Sequence, residues 1–362
     1  MLDEVQSWIA FAQHGKIGPV RFSNLYKTYD GDLAKAWEEI PKSLAKSGFD
    51  HALVEDITAW KQTFDSSKTL NTLNSLSIST VRVIDENYPK LLKEIADPPP
   101  VLFYKGEISG ENDEFAVAIV GSRKPTNYGI TATKQFAREI ANFGLPIVSG
   151  LALGIDAIAH RATLPKRTMA VLGSGLAEIT PFSNQRLGTE IIANGGAIIS
   201  EFPLFMPPLP QNFPTRNRII SGLSLGTIII EGAESSGSLI TARSALDQNR
   251  EVFALPGPIY SANSMGPNNL LKMGAHPLTS AQDVIQILNL EEISNFQKAK
   301  KIYADSANEA KLLEHLSKEP ITADEISKLC DLDMPTINST LMLMEMKGKV
   351  RNVGSATYVI AR

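Results

Sequence analysis

The chain has a single cysteine among 362 residues, Cys330, which excludes a disulfide framework and a cysteine-based zinc site and fits a reducing compartment. Its five histidines, His14, His51, His160, His276 and His315, are too scattered to mark a metal centre. No apolar run approaches the roughly 18 residues that a membrane-crossing helix needs. The first residues carry Asp3 and Glu4 before a short apolar stretch, the wrong charge for a secretory signal. A strong charge of either sign is also missing, with 35 Lys and Arg against 39 Asp and Glu. What is present is ordinary globular composition: 43% hydrophobic and 20% charged residues. We therefore expect a cytoplasmic protein of two or three domains that does not insert into membranes and has no resident cofactor or metal.

The charge is unevenly placed. Residues 1–80 hold 8 basic and 10 acidic side chains, whereas residues 115–289 hold 13 and 10, a local balance of +3. An anionic ligand would be held in that middle block. The first part, 1–78, reads as short helices with no strand signal. Within it Gly15-Lys16-Ile17-Gly18-Pro19 reads either as a tight helix–helix turn or as a hairpin offering N–H groups to phosphate. Beyond the rigid Asp97-Pro98-Pro99-Pro100 connector, apolar runs alternate with helical patterns. The runs are Phe115–Val120, Pro146–Val148, Thr168–Leu172, Ala197–Ile199, Thr227–Ile230 and Glu251–Leu255. This alternation predicts an α/β domain over 79–289 with a doubly wound, mostly parallel sheet. A polar linker is expected at 290–305. Three helices and a hairpin around Gly354 then predict a winged-helix domain at 306–362.

In open α/β sheets ligands bind beyond the carboxyl ends of the strands. Four loops at that edge are rich in glycine and hydroxyls: Gly121-Ser122-Arg123-Lys124, Gly150 to Gly154, Gly173-Ser174-Gly175, and Ser235-Ser236-Gly237-Ser238. Together they predict an extended anion-binding face. Neither standard nucleotide fingerprint is complete. The loop at Gly173 lacks its third glycine, and Ser238-Leu239 stands where a phosphate loop has Lys-Ser/Thr. Asp156 and His160, four apart on a helix, are expected to brace the Gly150–Gly154 loop. Arg216, Asn217 and Arg218 at a helix start suit phosphates or base edges. Tyr128, Phe182, Phe202 and Phe213 lie on loops at the same edge, Phe202 reading as core. Cations beside aromatic rings suit single-stranded nucleic acid, because charges follow the backbone while rings stack on unpaired bases. The third helix of the tail has only Lys347 as a cation, and Met334, Met342, Met344 and Met346 favour packing or a protein contact over DNA reading.

The ordered series Gly121-Ser122-Arg123, Gly150-Leu151-Ala152, Gly154-Ile155-Asp156, Ser200-Glu201-Phe202-Pro203, Phe213-Pro214 with Arg216-Asn217-Arg218-Ile219, Ser236-Gly237-Ser238-Leu239 and Val252-Phe253-Ala254-Leu255-Pro256-Gly257 resembles the DNA-processing protein A (DprA/Smf) family over about residues 80–280. That resemblance implies an extended Rossmann-like domain that binds incoming single-stranded DNA in natural transformation. It implies RecA recombinase and single-strand-binding protein as partners, a homodimer, and no catalysis. Arg123 would be the phosphate-gripping arginine, and Arg216, Asn217 and Arg218 a second basic element. Gly121, Ser122, Lys124, Tyr128, Gly150, Gly154, Gly173, Gly175, Phe182, Asn184, Phe213, Ser236, Gly237 and Ser238 complete the expected DNA contacts. The chain departs from the family at Thr180-Pro181-Phe182-Ser183-Asn184, where some members carry a lysine. Ile259, Leu270 and Leu271 are the expected dimer seam. The alternative is a nucleotide or sugar-phosphate hydrolase using Glu201 or Glu231, although each is better placed to fix an arginine or a loop N–H.

Overall fold

Short apolar runs separated by helices build the sheet that the alternation predicts. The computed structural model describes residues 2–109, 113–290, 307–313, 315–316, 320–330, 332–346, 349–354 and 356–360. Six helices come first: α1 (Glu4–Ala12), α2 (Pro19–Thr28), α3 (Leu33–Glu38), α4 (Lys42–Lys46), α5 (His51–Thr63) and α6 (Ser66–Ser75). Their starts are written in the sequence. Asp3 and Gln6 form a reciprocal capping box on α1, and the Asp50 and Asp65 carboxylates cap α5 and α6. Gly15 to Pro19 is the tight turn between α1 and α2, with Pro19 at the first helical position and Lys16 paired to Asp56 at 2.9 Å.

The sheet follows, as β1 (Ser79–Arg82), α7 (Lys90–Lys93), β2 (Val101–Gly106), β3 (Val117–Val120), α8 (Asn127–Asn142), β4 (Ile147–Ser149), α9 (Ile155–Thr163), β5 (Thr168–Val171), α10 (Gln185–Ala193), β6 (Ala197–Ser200), α11 (Asn212–Gly222), β7 (Gly226–Ile229), α12 (Gly237–Asp247), β8 (Glu251–Ala254), α13 (Met265–Lys272), β9 (His276–Pro277) and α14 (Ala281–Ile287). The nine strands are ordered β1-β2-β6-β5-β4-β3-β7-β8-β9. From β6 to β9 the pairing is parallel, and β2 and β1 add an antiparallel edge. The chain winds outward from β3 to β6, crosses back through α11, and winds the other way from β7. The order therefore reverses between β3 and β7, and a crevice opens there at the carboxyl edge.

Successive strand residues alternate between two cores. Ala170, Leu172 and Ile198 face the cluster shared with Trp8, Phe11, Leu25 and Leu44 of the N-terminal helices. Met169, Val171, Ala197 and Ile199 face Ile219, Ile220 and Leu223 of α11. The N-terminal helices thus cover one face of the sheet, and residues 1–288 form one compact unit.

The second unit, 289–362, holds α15 (Ala307–Leu313), β10 (Ile321–Thr322), α16 (Ala323–Leu329), α17 (Met334–Met346), β11 (Val350–Gly354) and β12 (Thr357–Ile360), with sheet order β10-β12-β11. Leu312, Ile326, Ile337, Leu341 and Met344 form its core, and Met342 is exposed. This is the three-helix and wing arrangement expected of the tail. Lys347 and residues 291–305 of the expected linker lie outside the described residues. Among the described residues no helix is long and apolar enough to cross a membrane.

Candidate nucleic-acid interface

The reversal between β3 and β7 opens a cleft of about 590 Å³. Gly121, Ser122 and Arg123 after β3 form one wall, and Ser235 to Ser238 with Ile240 and Thr241 form the facing wall. Phe213, Arg216 and Asn217 of α11 line it as well. Arg123 is exposed at the lip, its guanidinium 5.3 Å from the centre of the half-buried Phe213 ring. Lys124 beside it is exposed, and its N–H donates to Ser122 Oγ at 3.1 Å to close the turn. Gly237 opens α12 with free space where a side chain would stand. Ser236 caps that helix, its Oγ accepting from the Ser238 N–H. An anion between these walls meets a helix amino terminus on one side and Arg123 on the other.

Several residues expected to touch DNA do something else. Arg216 is only 4% exposed. Its Nη1 donates to the Gly150 carbonyl at 2.9 Å and to that of Val171. It lies beneath the cleft, 6.0 Å from the centre of the Phe213 ring, as a buried scaffold that adds positive potential. Burial lowers its pKa to about 10, with Asp156 opposing the shift, so it stays charged at neutral pH. Arg218 lies on another face of α11 and does not line the cleft. It is ion-paired with Glu201, and with Asp97 at 3.2 Å. Burial raises the Glu201 pKa to about 7 despite that partner. Asn184 is buried, its amide donating to the Leu151 carbonyl at 2.9 Å. Arg218 and Asn184 are therefore placed as structural groups: the one unpartnered Arg218 nitrogen, Nη1, is buried, and both donors of the Asn184 amide are used.

The glycines separate in the same way. A Cβ on Gly150 would fall 2.6 Å from the Arg216 guanidinium, and one on Gly173 would fall 3.0 Å from the Phe213 ring. These two glycines make room for Arg216 and for the Phe213 ring rather than for phosphate. Gly175 is pressed against the carbonyls of Pro203 and Leu204. Gly154, at φ +80°, lies under Ser122, whose carbonyl accepts the Ile155 N–H and so uses the first donor of α9. Of the expected glycine contacts, Gly121 and Gly237 line the cleft.

The acidic groups are committed too. Asp156 Oδ2 accepts the Gly150 N–H at 3.1 Å, as expected of a loop brace, and burial raises its pKa against the pull of Arg216. His160 does not join it but meets Thr168 Oγ1 at 2.7 Å. Burial, and then the charge of Arg216, lower the His160 pKa to about 3. Glu231 accepts from the N–H and hydroxyl of Thr126, at 2.8 and 2.5 Å, and pins the start of α8. Glu201 and Glu231 thus fix an arginine and a loop N–H, as their positions in the sequence suggested.

Among the aromatics, Tyr128 is half-exposed and its hydroxyl donates to the Pro256 carbonyl at 2.8 Å. Phe202 is half-buried, and Phe182 projects almost fully into solvent. Phe205 is also exposed, and no sequence motif singled it out among the prolines that surround it. Asn263 is a second residue missed: it lines the cleft and donates to the Lys124 carbonyl at 3.1 Å. Nothing in its local sequence marks it. The expected seam needs correction, because Leu270 is buried and Leu271 packs against the core, while Ile259, Tyr260 and Met273 are the exposed apolar groups nearby.

Comparison with known proteins agrees with this geometry. Residues 79–289 match the family model described as DNA recombination-mediator protein A, and residues 297–354 match that of the DprA winged helix domain. Protein Smf of Escherichia coli is 40% identical over 276 residues, 74% of this chain and 74% of its own. The structure of DNA processing protein A from Streptococcus pneumoniae aligns with a TM-score of 0.68 at 32% identity, covering 78% of this chain and 97% of that one. That of Helicobacter pylori, described for its single-stranded DNA binding mode, aligns with a TM-score of 0.52 at 36% identity, covering 58% and 95%. The model spanning the whole parallel sheet, the relatives that share it and the cleft at its switch point together place this chain in the DNA recombination-mediator protein A (DprA/Smf) family.

Proposed function

We propose that this protein binds single-stranded DNA across the cleft between β3 and β7. The observation that carries the reading is the exposed Arg123 guanidinium beside the Phe213 ring, facing the open amino terminus of α12. Arg123 and Lys124 meet phosphates, the Gly237 N–H at the start of α12 receives another, and Phe213 stacks on an unpaired base. A duplex hides the faces of its bases and gains only the phosphate contacts. The single-stranded DNA binding mode described for the Helicobacter pylori relative supports this assignment.

Following the family resemblance, we assign the protein a role in natural transformation, protecting incoming strands and helping to load RecA recombinase past single-strand-binding protein. It acts as a dimer, with the exposed Ile259, Tyr260 and Met273 as its seam. The hydrolase alternative loses its candidates, because Glu201 and Glu231 are engaged with Arg218 and Thr126.

Fluorescence anisotropy of labelled oligothymidine against the matching duplex tests the DNA assignment. The wild type prefers the single strand, and affinity falls with salt by about 0.7 in the log–log slope for each phosphate neutralised. Arg123→Ala binds weakly to every sequence, and unchanged binding by that variant sinks the assignment. For the RecA role, the protein accelerates RecA filament formation on strands already coated with single-strand-binding protein. Sedimentation as a monomer at micromolar concentration would remove the dimer.

A further inference from the structure

We propose that Phe182 and Phe205 form a second base-stacking platform that takes single-stranded DNA onward from the cleft, a proposal that rests on the reading of the cleft given above. They are the only exposed phenylalanines among the described residues, at 85% and 72% of full exposure. Both lie at the carboxyl edge, on the loops that follow the neighbouring strands β5 and β6.

The two loops are one surface. The Gly175 N–H donates to the Met206 carbonyl at 2.8 Å and the Ala177 N–H to that of Leu204 at 3.0 Å, one bond on either side of Phe205. The surface is continuous with the cleft at two places. The Phe213 ring lies against Gly173. Asn184, two residues after Phe182, holds the carbonyls of Leu151 and Ala152, and Ala152 lines the cleft wall.

Phe205 is also firmly presented. Gln13 Oε1, at the end of α1, accepts the Leu204 N–H at 3.0 Å from the side of the N-terminal helices. A ring projecting from backbone braced on both sides loses little freedom when a base stacks on it. The charges nearby point to bases rather than phosphates. Arg186 is paired with Glu190 at 3.0 Å, the exposed Arg161 reaches Asn184 Oδ1 at 3.5 Å, and Glu178 is exposed, so two cations face two carboxylates and the patch offers π faces without a surplus of cations.

The proposal separates two contributions that one affinity would merge. The cleft is electrostatic and salt-sensitive, whereas the platform is neither and is reached only by a strand long enough to leave the cleft. The test uses the full chain and oligothymidines of about 6 and about 20 nucleotides, one within and one beyond the roughly 4–16-nucleotide footprint of a single strand-binding fold. Phe182→Ala and Phe205→Ala each weaken the long strand on the order of tenfold and leave the short one and the salt slope unchanged. Phe205→Trp restores the long-strand affinity. Arg123→Ala weakens both lengths and lowers the slope by about 0.7. Both rings are on the surface, so the alanine variants keep the melting temperature of the wild type. Equal losses on both lengths would make the rings part of the cleft and end the proposal. So would unchanged affinity on the long strand, which would hand the surface to a protein partner. If the wild type binds neither length, the reading of the cleft itself fails, an outcome that the wild-type curve alone reveals.

Discussion

At the residue scale, like residues separate by what they face. Gly150 and Gly237 look alike in the sequence, yet a methyl group on Gly150 meets the Arg216 guanidinium and one on Gly237 meets open space. We predict that Gly150→Ala loses about 1–3 kcal/mol of stability by overpacking, read by urea denaturation. Gly237→Ala keeps its stability and binds single strands more weakly, because the methyl enters the cleft. The arginines divide in parallel. Arg123→Ala leaves the melting curve in place, whereas Arg216→Ala strands the buried carbonyls of Gly150 and Val171, at about 1–3 kcal/mol each. His160 gives the chain a pH dependence. Its pKa is lowered to about 3 in the fold from an ordinary 6.5, so the unfolded chain takes up the proton first as the solution is acidified. The stability it contributes is complete above about pH 6.5 and is lost as pH falls toward 3, on the order of 5 kcal/mol in all. His160→Gln flattens the unfolding free energy over that window, and an unchanged pH profile would contradict the assignment.

At the scale of elements, α11 shows what the sequence revealed and what it concealed. Its place as a helix between two strands was legible from the apolar runs on either side, as were six of the seven parallel strands, to within two residues at their starts; the two-residue β9 was not. The grouping of Arg216, Asn217 and Arg218 into one basic element was not sound, because residues two apart on a helix face different ways. Arg216 turns to the cleft floor and Arg218 to Glu201 and Asp97. Helical spacing alone could have parted them; which one lay beneath the cleft required the sheet. Arg218→Ala leaves the buried Glu201 without its cation and costs about 3–5 kcal/mol. The salt slope for DNA in the folded protein should stay unchanged, and a lower slope would return Arg218 to the interface. The glycine loops were legible as the functional edge. Their individual duties were not, because space cleared for a side chain and space cleared for a phosphate carry the same letter.

Across the whole molecule, the first 288 residues and the remainder are separate compact units. A chain ending at Leu288 should therefore melt as one cooperative transition and bind oligothymidine like the full protein, and loss of binding would assign the winged-helix unit a share of the interface. The change from helices to strands near residue 79 is a different kind of boundary, because Val101, Phe103, Leu172 and Ile198 of the sheet lie in one apolar cluster with Trp8, Phe11 and Leu25. That joint cluster, and the bond from the Leu204 N–H to Gln13, tie the N-terminal helices to the loop that carries Phe205. If Phe205 takes a base as proposed, the helical region would adjust grip from a distance. On the proposed platform, inherited variation at Gln13, or at Gly15 where it packs against Met206, would change how Phe205 is presented without changing Phe205 itself, a route by which selection could tune affinity from outside the cleft.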